Sequence, residues 1–308
     1  MQAAYADYQP DWLPIEMHIE LRGVRHRILK WQKPESEVAV PTVLLLHGFQ
    51  DCSDTFQFLV DALPQQWQFL AMDWRGFGGS EWQHGPYWFA DYLADLDALL
   101  DSLLPNEPVR IIGHSMGGNI AGLYAGVRPE RVQWLISLEG FGLPRSRAEL
   151  APSRYREWLN QIRIGPRGSK HESTDTLSAA LMRRNPRLAP EVANFVANAW
   201  IRKRGESERP ALHFDPWHRL VNPVLYRREE SEACWREVTA PVLLALGAQS
   251  EYRHRLELDG DLQRFIQCFR HGEVADFAGL GHMLHHEAPV EVARRLAEWM
   301  RRQDMASR

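Results

Sequence analysis

The hexapeptide Gly113-His114-Ser115-Met116-Gly117-Gly118 (GHSMGG) directly follows the apolar run 109–112, and the residues after it keep helical spacing as far as Val127. A G-x-S-x-G sequence between a strand and a helix predicts a tight, strained turn that exposes the serine hydroxyl beyond the end of the strand. The N-terminus of the new helix directs N–H groups and its dipole at negative charge that develops beside Ser115. The alternative is a glycine-rich turn that carries an inactive serine.

Short apolar strands alternate with helical segments on both sides of this turn. This alternation predicts parallel β-α-β units and a doubly wound sheet, after an N-terminal hairpin. Strands are predicted at Ile15–Leu21, Val24–Trp31, Thr42–Leu46, Gln68–Asp73, Val109–Gly113, Val132–Leu138, Pro241–Gly247 and Glu273–Phe277. Helices are predicted at Thr55–Leu63, Tyr87–Leu104, Ser115–Val127, Leu258–Phe269 and Pro289–Arg302.

The rhythm breaks between residues 143 and 235, where helical segments rich in Arg, Trp and Pro replace the strands. We therefore expect one core domain made of residues 1–142 and 236–308, with a helical cap inserted at 143–235. The cap aromatic residues either line a substrate pocket or, as we favour, pack the cap helices; they are Trp158, Phe195, Trp200 and Trp217. Its basic clusters are expected to be solvated faces or a rim that attracts an acidic substrate; they are Arg183-Arg184, Arg202-Lys203-Arg204 and Arg227-Arg228.

Composition limits the class of partner. The chain has 308 residues, 44% apolar and 25% charged, with a net charge of -4, which is ordinary for a globular protein and predicts no nucleic-acid or membrane partner. Three separated cysteines without C-x-x-C spacing favour a reducing compartment. The N-terminal residues have no apolar signal segment, so a cytoplasmic location is expected. Only four of the 36 basic residues are lysine, which points to a GC-rich bacterial genome.

Oxyanion donors and a general base are found at the sequence positions that serine chemistry needs. The loop after Thr42–Leu46 begins His47-Gly48-Phe49, so the backbone N–H groups of Phe49 and Met116 are predicted to form an oxyanion hole. Its alternative is an ordinary turn at a strand exit. His282 follows Gly281 in a loop before the last helix, from which an imidazole reaches over the sheet edge as general base.

A metal site is the alternative for the histidine-rich segment. His282, His285 and His286 with Glu287 would be its ligands, but no H-E-x-x-H spacing is present and no Cys or Asp cluster completes a site. We therefore expect no metal and no cofactor. His285 and His286 are instead predicted to begin the final helix and to cover the sheet.

Taken together, these motifs resemble those of the α/β-hydrolases. The matching residues are His47-Gly48-Phe49, 73–80 (DWRGFGGS), 113–118 and Gly281-His282. The resemblance implies a mostly parallel eight-stranded α/β-hydrolase sheet with helices on both faces. The inserted segment resembles the cap of the epoxide-hydrolase and haloalkane-dehalogenase branch. Those enzymes use an aspartate nucleophile, whereas Ser115 here favours serine-type acyl transfer.

The acid of the triad departs from the common family pattern. Most relatives carry an Asp three residues after the glycine that ends the strand Pro241–Gly247, and this position is Ser250 here. We favour Glu139, at the end of the strand Val132–Leu138, because a strand end is rigid and resembles the acid position of one dehalogenase subgroup. Glu251 is the second candidate and Asp276 the third.

The function expected from these residues is hydrolysis of a small-molecule carboxylic ester or related acyl substrate through Ser115, His282 and Glu139. Lactone or carbon–carbon bond hydrolysis uses the same groups, and fold similarity does not choose among them. A receptor-like ligand-binding protein and a cofactor-free oxidative enzyme are the rivals from other classes. The sequence leaves the oligomeric state open, with a homodimer as one option.

Overall fold

The computed structural model describes residues 7–32, 40–166, 173–202 and 211–306, and an eight-stranded sheet lies at its centre. The strands are β1 Ile15–Leu21, β2 Val24–Trp31, β3 Thr42–Leu46, β4 Gln68–Met72, β5 Val109–His114, β6 Val132–Leu138, β7 Ile201–Arg202, β8 Ala211–Leu212, β9 Val242–Gly247 and β10 Gly272–Phe277. The helices are α1 Gln57–Ala62, α2 Phe89–Leu103, α3 Met116–Val127, α4 Ala151–Ile164, α5 Thr174–Arg184, α6 Pro190–Trp200, α7 Arg228–Arg236, α8 Glu251–Leu258, α9 Asp261–Cys268, α10 Leu284–Glu287 and α11 Pro289–Ala306.

The sheet has the strand order β1-β2-β4-β3-β5-β6-β9-β10. The pairs β1/β2 and β2/β4 are antiparallel and the remaining pairs are parallel. The predicted fold class, a mostly parallel eight-stranded sheet with helices on both faces, is confirmed. Because β3, β5, β6, β9 and β10 are parallel, their carboxyl ends meet at one edge, where ligands of such sheets bind.

Both faces of the sheet are covered, which explains why the central strands are apolar without interruption. In β3, Leu44 and Leu46 face one core together with residues of α2, α3 and α9. Val43 and Leu45 face a second core together with residues of α1 and α11. Successive side chains of a strand point to opposite faces, so the run divides equally between the two cores.

Two predicted helices begin at other residues in the structure, at positions where the backbone conformation of one residue sets the start of a helix. The helix predicted over Leu258–Phe269 corresponds to α9, which begins only at Asp261 because Gly260 before it adopts a left-handed φ of 66°. The separate helix α8 that precedes it was not predicted. His285 and His286 do not begin the final helix. They belong to the separate short helix α10, and α11 begins at Pro289, a residue suited to the first turn of a helix.

Between β6 and β9 the described residues form helices α4 to α7 and the two-residue strands β7 and β8, which pair antiparallel. The division of the chain into a core and a cap at residues 143–235 stays a prediction. No helix within the described ranges combines the length and the apolar character needed to cross a bilayer.

Candidate active site

Ser115 lies at the turn between β5 and α3 with φ 49° and ψ −113°, a conformation that non-glycine residues rarely adopt. Its amide donates to the carbonyl of Leu138 at 2.8 Å, which holds the turn against the end of β6. A Cβ on Gly117 would lie 2.1 Å from the Leu46 carbonyl oxygen, and one on Gly113 would lie 2.7 Å from the Gly117 backbone. The two flanking glycines are therefore required by the close approach of backbone to backbone.

His282 is the residue that faces this hydroxyl. It lies in the loop between β10 and α10, and its Nε2 is 3.0 Å from Ser115 Oγ. Its own carbonyl accepts a hydrogen bond of 3.0 Å from His114 Nε2, and its ring lies 4.4 Å from the ring of Tyr252. Backbone and ring are thus both held from outside the loop.

Glu139 follows β6 and completes a chain of hydrogen bonds. Its Oε2 lies 3.2 Å from His282 Nδ1, and its Oε1 accepts from the Gly247 amide at 2.7 Å. The residue is buried and has a left-handed φ of 57°. Because a carboxylate only accepts, it holds the proton of a neutral His282 on Nδ1 and leaves the Nε2 lone pair towards Ser115.

The other two candidate acids lie elsewhere. Glu251 is exposed at the first turn of α8, and within the described residues it has no hydrogen bond or ion pair with His282. Ser250, at the usual family position of the acid, instead caps α8 by accepting from the Arg253 amide. Asp276 pairs with Arg253 at 2.6 Å. The structure thus brings only Glu139 of the three to the imidazole.

The loop after β3 is fixed by buried His47, to which the sequence analysis gave no role of its own. His47 Nε2 accepts from the Trp74 amide at 3.0 Å, so its proton is on Nδ1, which donates to the Gly48 carbonyl at 2.8 Å. In a trans peptide the N–H points opposite to the C=O. The Phe49 amide is consequently directed away from His47.

Phe49 and Met116 are both positioned to present amides beside the nucleophile. A Cβ on Gly48 would lie 3.3 Å from Ser115 Cβ, so the loop after β3 passes close to the turn that carries Ser115. Met116 begins α3, and the first amides of a helix have no carbonyl partner within it. Their role as oxyanion donors stays a prediction.

A neutral histidine, His218, joins the segment between β6 and β9 to residues next to this loop. The ring of His218 stacks between those of Phe77 and Tyr87 at 3.9 and 3.6 Å, and the Phe49 ring meets it edge-on at 6.2 Å. Its Nδ1 lies 3.1 Å from the Tyr92 hydroxyl. Burial lowers the pKa of His218 to about 3.

Arg228 corrects the prediction that the basic clusters are solvated. It is fully buried, with Nε 3.1 Å from Glu232 and 3.6 Å from Asp261. Its Nη1 donates to the carbonyls of Phe141 and Leu143. An arginine offers five donors in a fixed fork, and here they join the entry of the inserted segment to α7 and α9.

The remaining basic residues divide into two groups. Arg183, Arg184 and Arg227 are exposed, as expected for solvated faces. The side chains of Arg202-Lys203-Arg204 lie outside the described residues.

Phe195 and Trp200, two of the aromatic residues of the predicted cap, pack in apolar clusters with residues of α5 and α6 and also contact residues outside the segment 143–235. Trp200 Nε1 donates to Asp51 at 2.9 Å. Phe195 packs edge-on against Phe58, with ring centroids 5.1 Å apart. Trp158 and Trp217 are half-buried.

The four residues of the metal alternative (His282, His285, His286 and Glu287) do not act as one set. His282 faces Ser115, and Glu287 accepts the amide of Gly281 at 2.7 Å. Within the described residues, the group whose ligand atoms converge is a different one, Asp51, His114 and His285.

Sequence reasoning missed Asp51 and His114, although both lie within five residues of predicted site residues. Burial lowers the pKa values of His114 and His285 well below that of a free histidine, so both rings are neutral. The available signal was their position in the sequence: Asp51 follows Phe49 by two residues, and His114 directly precedes Ser115.

Comparison with known proteins identifies the family of this chain. A family model described as alpha/beta hydrolase fold matches residues 41–289. A serine hydrolase-like protein of Danio rerio is 34% identical over 170 residues, which cover 52% of this chain and 51% of that protein. The chain therefore spans about half the length of this relative. A serine hydrolase-like protein of Dictyostelium discoideum is 27% identical over 260 residues, covering 79% of this chain and 68% of that protein.

Among solved structures, a thioesterase domain from the curacin biosynthetic pathway superposes with a TM-score of 0.75. It is 23% identical, and the match covers 93% of this chain and 98% of that one. At this identity the likeness shows the fold alone.

Proposed function

Because the chain belongs to the alpha/beta hydrolase fold family, we propose that it is a serine hydrolase that cleaves carboxylic esters through an acyl-enzyme. The observation that supports this proposal is the unbroken line of hydrogen bonds from Ser115 Oγ to His282 Nε2 and from His282 Nδ1 to Glu139. A hydroxyl, an imidazole and a buried carboxylate in this order form a nucleophile, a general base and an orienting acid.

The reaction uses each group in turn. His282 Nε2 removes the proton of Ser115 while Oγ attacks the carbonyl carbon of the ester. The oxyanion lies against the amides of Phe49 and Met116, and the leaving alcohol takes the proton back from His282. Water, deprotonated by the same imidazole, then releases the carboxylic acid and restores Ser115. No cofactor takes part in these steps.

The test is labelling with a fluorophosphonate, which reacts with an activated serine, followed by hydrolysis of a p-nitrophenyl ester series. We expect stoichiometric labelling and measurable turnover in the wild type, both lost in Ser115→Ala. Ser153→Ala is the matched control, since the exposed Ser153 hydroxyl donates to the Leu150 carbonyl at 2.9 Å, at the start of α4. Labelling without turnover on esters, thioesters or lactones would favour the receptor-like rival, and absence of labelling would refute the proposal.

A further inference from the structure

Three buried side chains with metal-ligating atoms meet behind the nucleophile turn. They are Asp51, His114 and His285, and one ligand atom from each lies within 4.8 Å of the other two. Their exposed fractions are 5%, 2% and 0%. Asp51 follows the loop of the proposed oxyanion hole, His114 precedes Ser115, and His285 lies in α10 just after His282.

The facing atoms of this cluster lack partners. Asp51 Oδ2, His114 Nδ1 and both ring nitrogens of His285 are buried and make no hydrogen bond to any part of the chain that the structure describes. Buried polar atoms in folded proteins are almost always satisfied, and each unsatisfied one costs about 1–3 kcal/mol. A bound species that accepts lone pairs from this cluster would remove most of that cost.

The opposite sides of the same groups are already held. His114 Nε2 donates to the His282 carbonyl at 3.0 Å, so the lone pair of its neutral ring is on Nδ1, inside the cluster. Asp51 Oδ1 accepts from the Cys52 amide and the Trp200 indole, each at 2.9 Å, which leaves Oδ2 free to coordinate. Metal ligands are oriented in this way, by outer hydrogen bonds on the atom that does not bind the ion.

Charge favours a cation over water. Asp51 has no salt bridge with any described residue, and buried carboxylates are normally paired or bound to a metal. Two imidazole nitrogens and one carboxylate oxygen are a donor set that divalent zinc and its neighbours prefer. A cavity of about 10 Å³, the size of one water, lies beside Asp51 and is lined by Trp200 and Phe214.

We propose that Asp51, His114 and His285 bind one divalent transition-metal ion of the zinc class. The ion joins the loop after β3, the end of β5 and helix α10, and these carry the proposed oxyanion donor, the nucleophile and the base. Its role is to fix the relative positions of the three segments.

The experiment measures metal binding directly, so its outcome is independent of ester hydrolysis. The full chain is stripped with a chelator, dialysed, and titrated with Co²⁺ and with Zn²⁺. We expect close to one equivalent of bound metal by elemental analysis, visible Co²⁺ absorption of low-coordinate type, and a Tm raised by several degrees in excess Zn²⁺.

Variants assign the site to these residues. His285→Gln and, separately, Asp51→Asn are expected to lose the bound equivalent, the Co²⁺ spectrum and the rise in Tm. The matched control is His286→Gln, a buried histidine of the same helix outside the cluster, which is expected to keep all three. Wild-type protein that holds less than about a tenth of an equivalent of either metal, or His285→Gln that binds as the wild type does, would overturn the proposal and leave a buried water as the partner.

Discussion

Replacing Glu139 by Gln removes a charge from the proposed triad and keeps the shape of the side chain. Oε1 of Glu139 accepts from the Gly247 amide at 2.7 Å and Oε2 faces His282 Nδ1 at 3.2 Å. Glutamine has only one acceptor oxygen. If that oxygen stays on the Gly247 amide, the NH₂ group faces His282 and forces the ring proton onto Nε2. His282 then presents a donor to Ser115 and no longer acts as a base.

The size of the effect follows from the alternative orientation. Turning the amide to restore the correct His282 tautomer sets its NH₂ group against the Gly247 amide, and a buried donor without a partner costs about 1–3 kcal/mol. This alone reduces the competent population by about 5–150-fold. The lost charge also no longer stabilises the imidazolium. We therefore expect kcat to fall by about 10³–10⁴, or about 4–5.5 kcal/mol, as in other triads that lose the carboxylate.

The assay is release of p-nitrophenolate from a short-chain ester under saturating conditions, with KM determined separately. KM is expected to change little, because the carboxylate acts through His282 and does not touch substrate. Glu251→Gln is the matched control and is expected to keep wild-type kcat. Circular dichroism and Tm confirm that both variants fold. A Glu139→Gln enzyme within tenfold of the wild type, or an equal fall in Glu251→Gln, would refute the assignment of the acid.

Two further predictions concern the loop after β3 and the inserted segment. Gly48→Ala places a Cβ 2.8 Å from His114 Nδ1, so the loop must shift. We expect kcat to fall about 100-fold, as for the loss of one oxyanion donor. The control Gly279→Ala has open space around its Cβ and should keep the wild-type kcat, so equal rates in the two variants would contradict the prediction. The pKa of His218 is about 3 when folded, below its ordinary value, so the unfolded chain takes up this proton first and stability falls as the pH drops from about 6.5 towards 3. At pH 4.5 the wild type should lose about 3 kcal/mol more than His218→Phe, relative to pH 7, in urea unfolding. Parallel pH curves for the two proteins would exclude this coupling.

The sheet could be predicted from the sequence because its strands carry the signal themselves. A strand covered on both faces must be apolar throughout, and Thr42–Leu46 or Val242–Gly247 fit no other element of that length. A boundary that depends on one backbone conformation was predicted wrongly at Gly260, a left-handed residue that lies inside the predicted helix and directly before the true start of α9. Periodicity does not register a single φ angle.

A site residue could be predicted from the sequence where a local motif marks it, but not where the choice depends on which residues the fold brings together. Ser115 is marked by its glycines, whereas Glu139 and Glu251 are both glutamates that follow strands. Only Glu139 lies within hydrogen-bond distance of His282, at 3.2 Å. This closeness results from tertiary structure, including the pairing of β6 with β9, and the local sequence does not reveal it. Burial of Arg228 was hidden for the same reason, since its partners lie on α9 and on the segment after β6.

Ser115 and Glu139 of the proposed triad both have a strained backbone and lie at the ends of the neighbouring strands β5 and β6. Ser115 and Glu139 both have positive φ, a conformation that costs about 1–3 kcal/mol for each such residue. The Ser115 amide donates to Leu138, the last residue of β6, and the Glu139 amide donates to Ala245 of β9 at 3.0 Å. Each strained residue therefore extends the hydrogen-bond ladder of the sheet by one step, onto the neighbouring strand. A Cβ on Gly247, at the end of β9, would lie 2.5 Å from the carbonyl oxygen of Gly281, so the same strand end also determines how closely the His282 loop approaches. The hydrogen bonds and close contacts at these strand ends hold the three residues of the proposed triad in register.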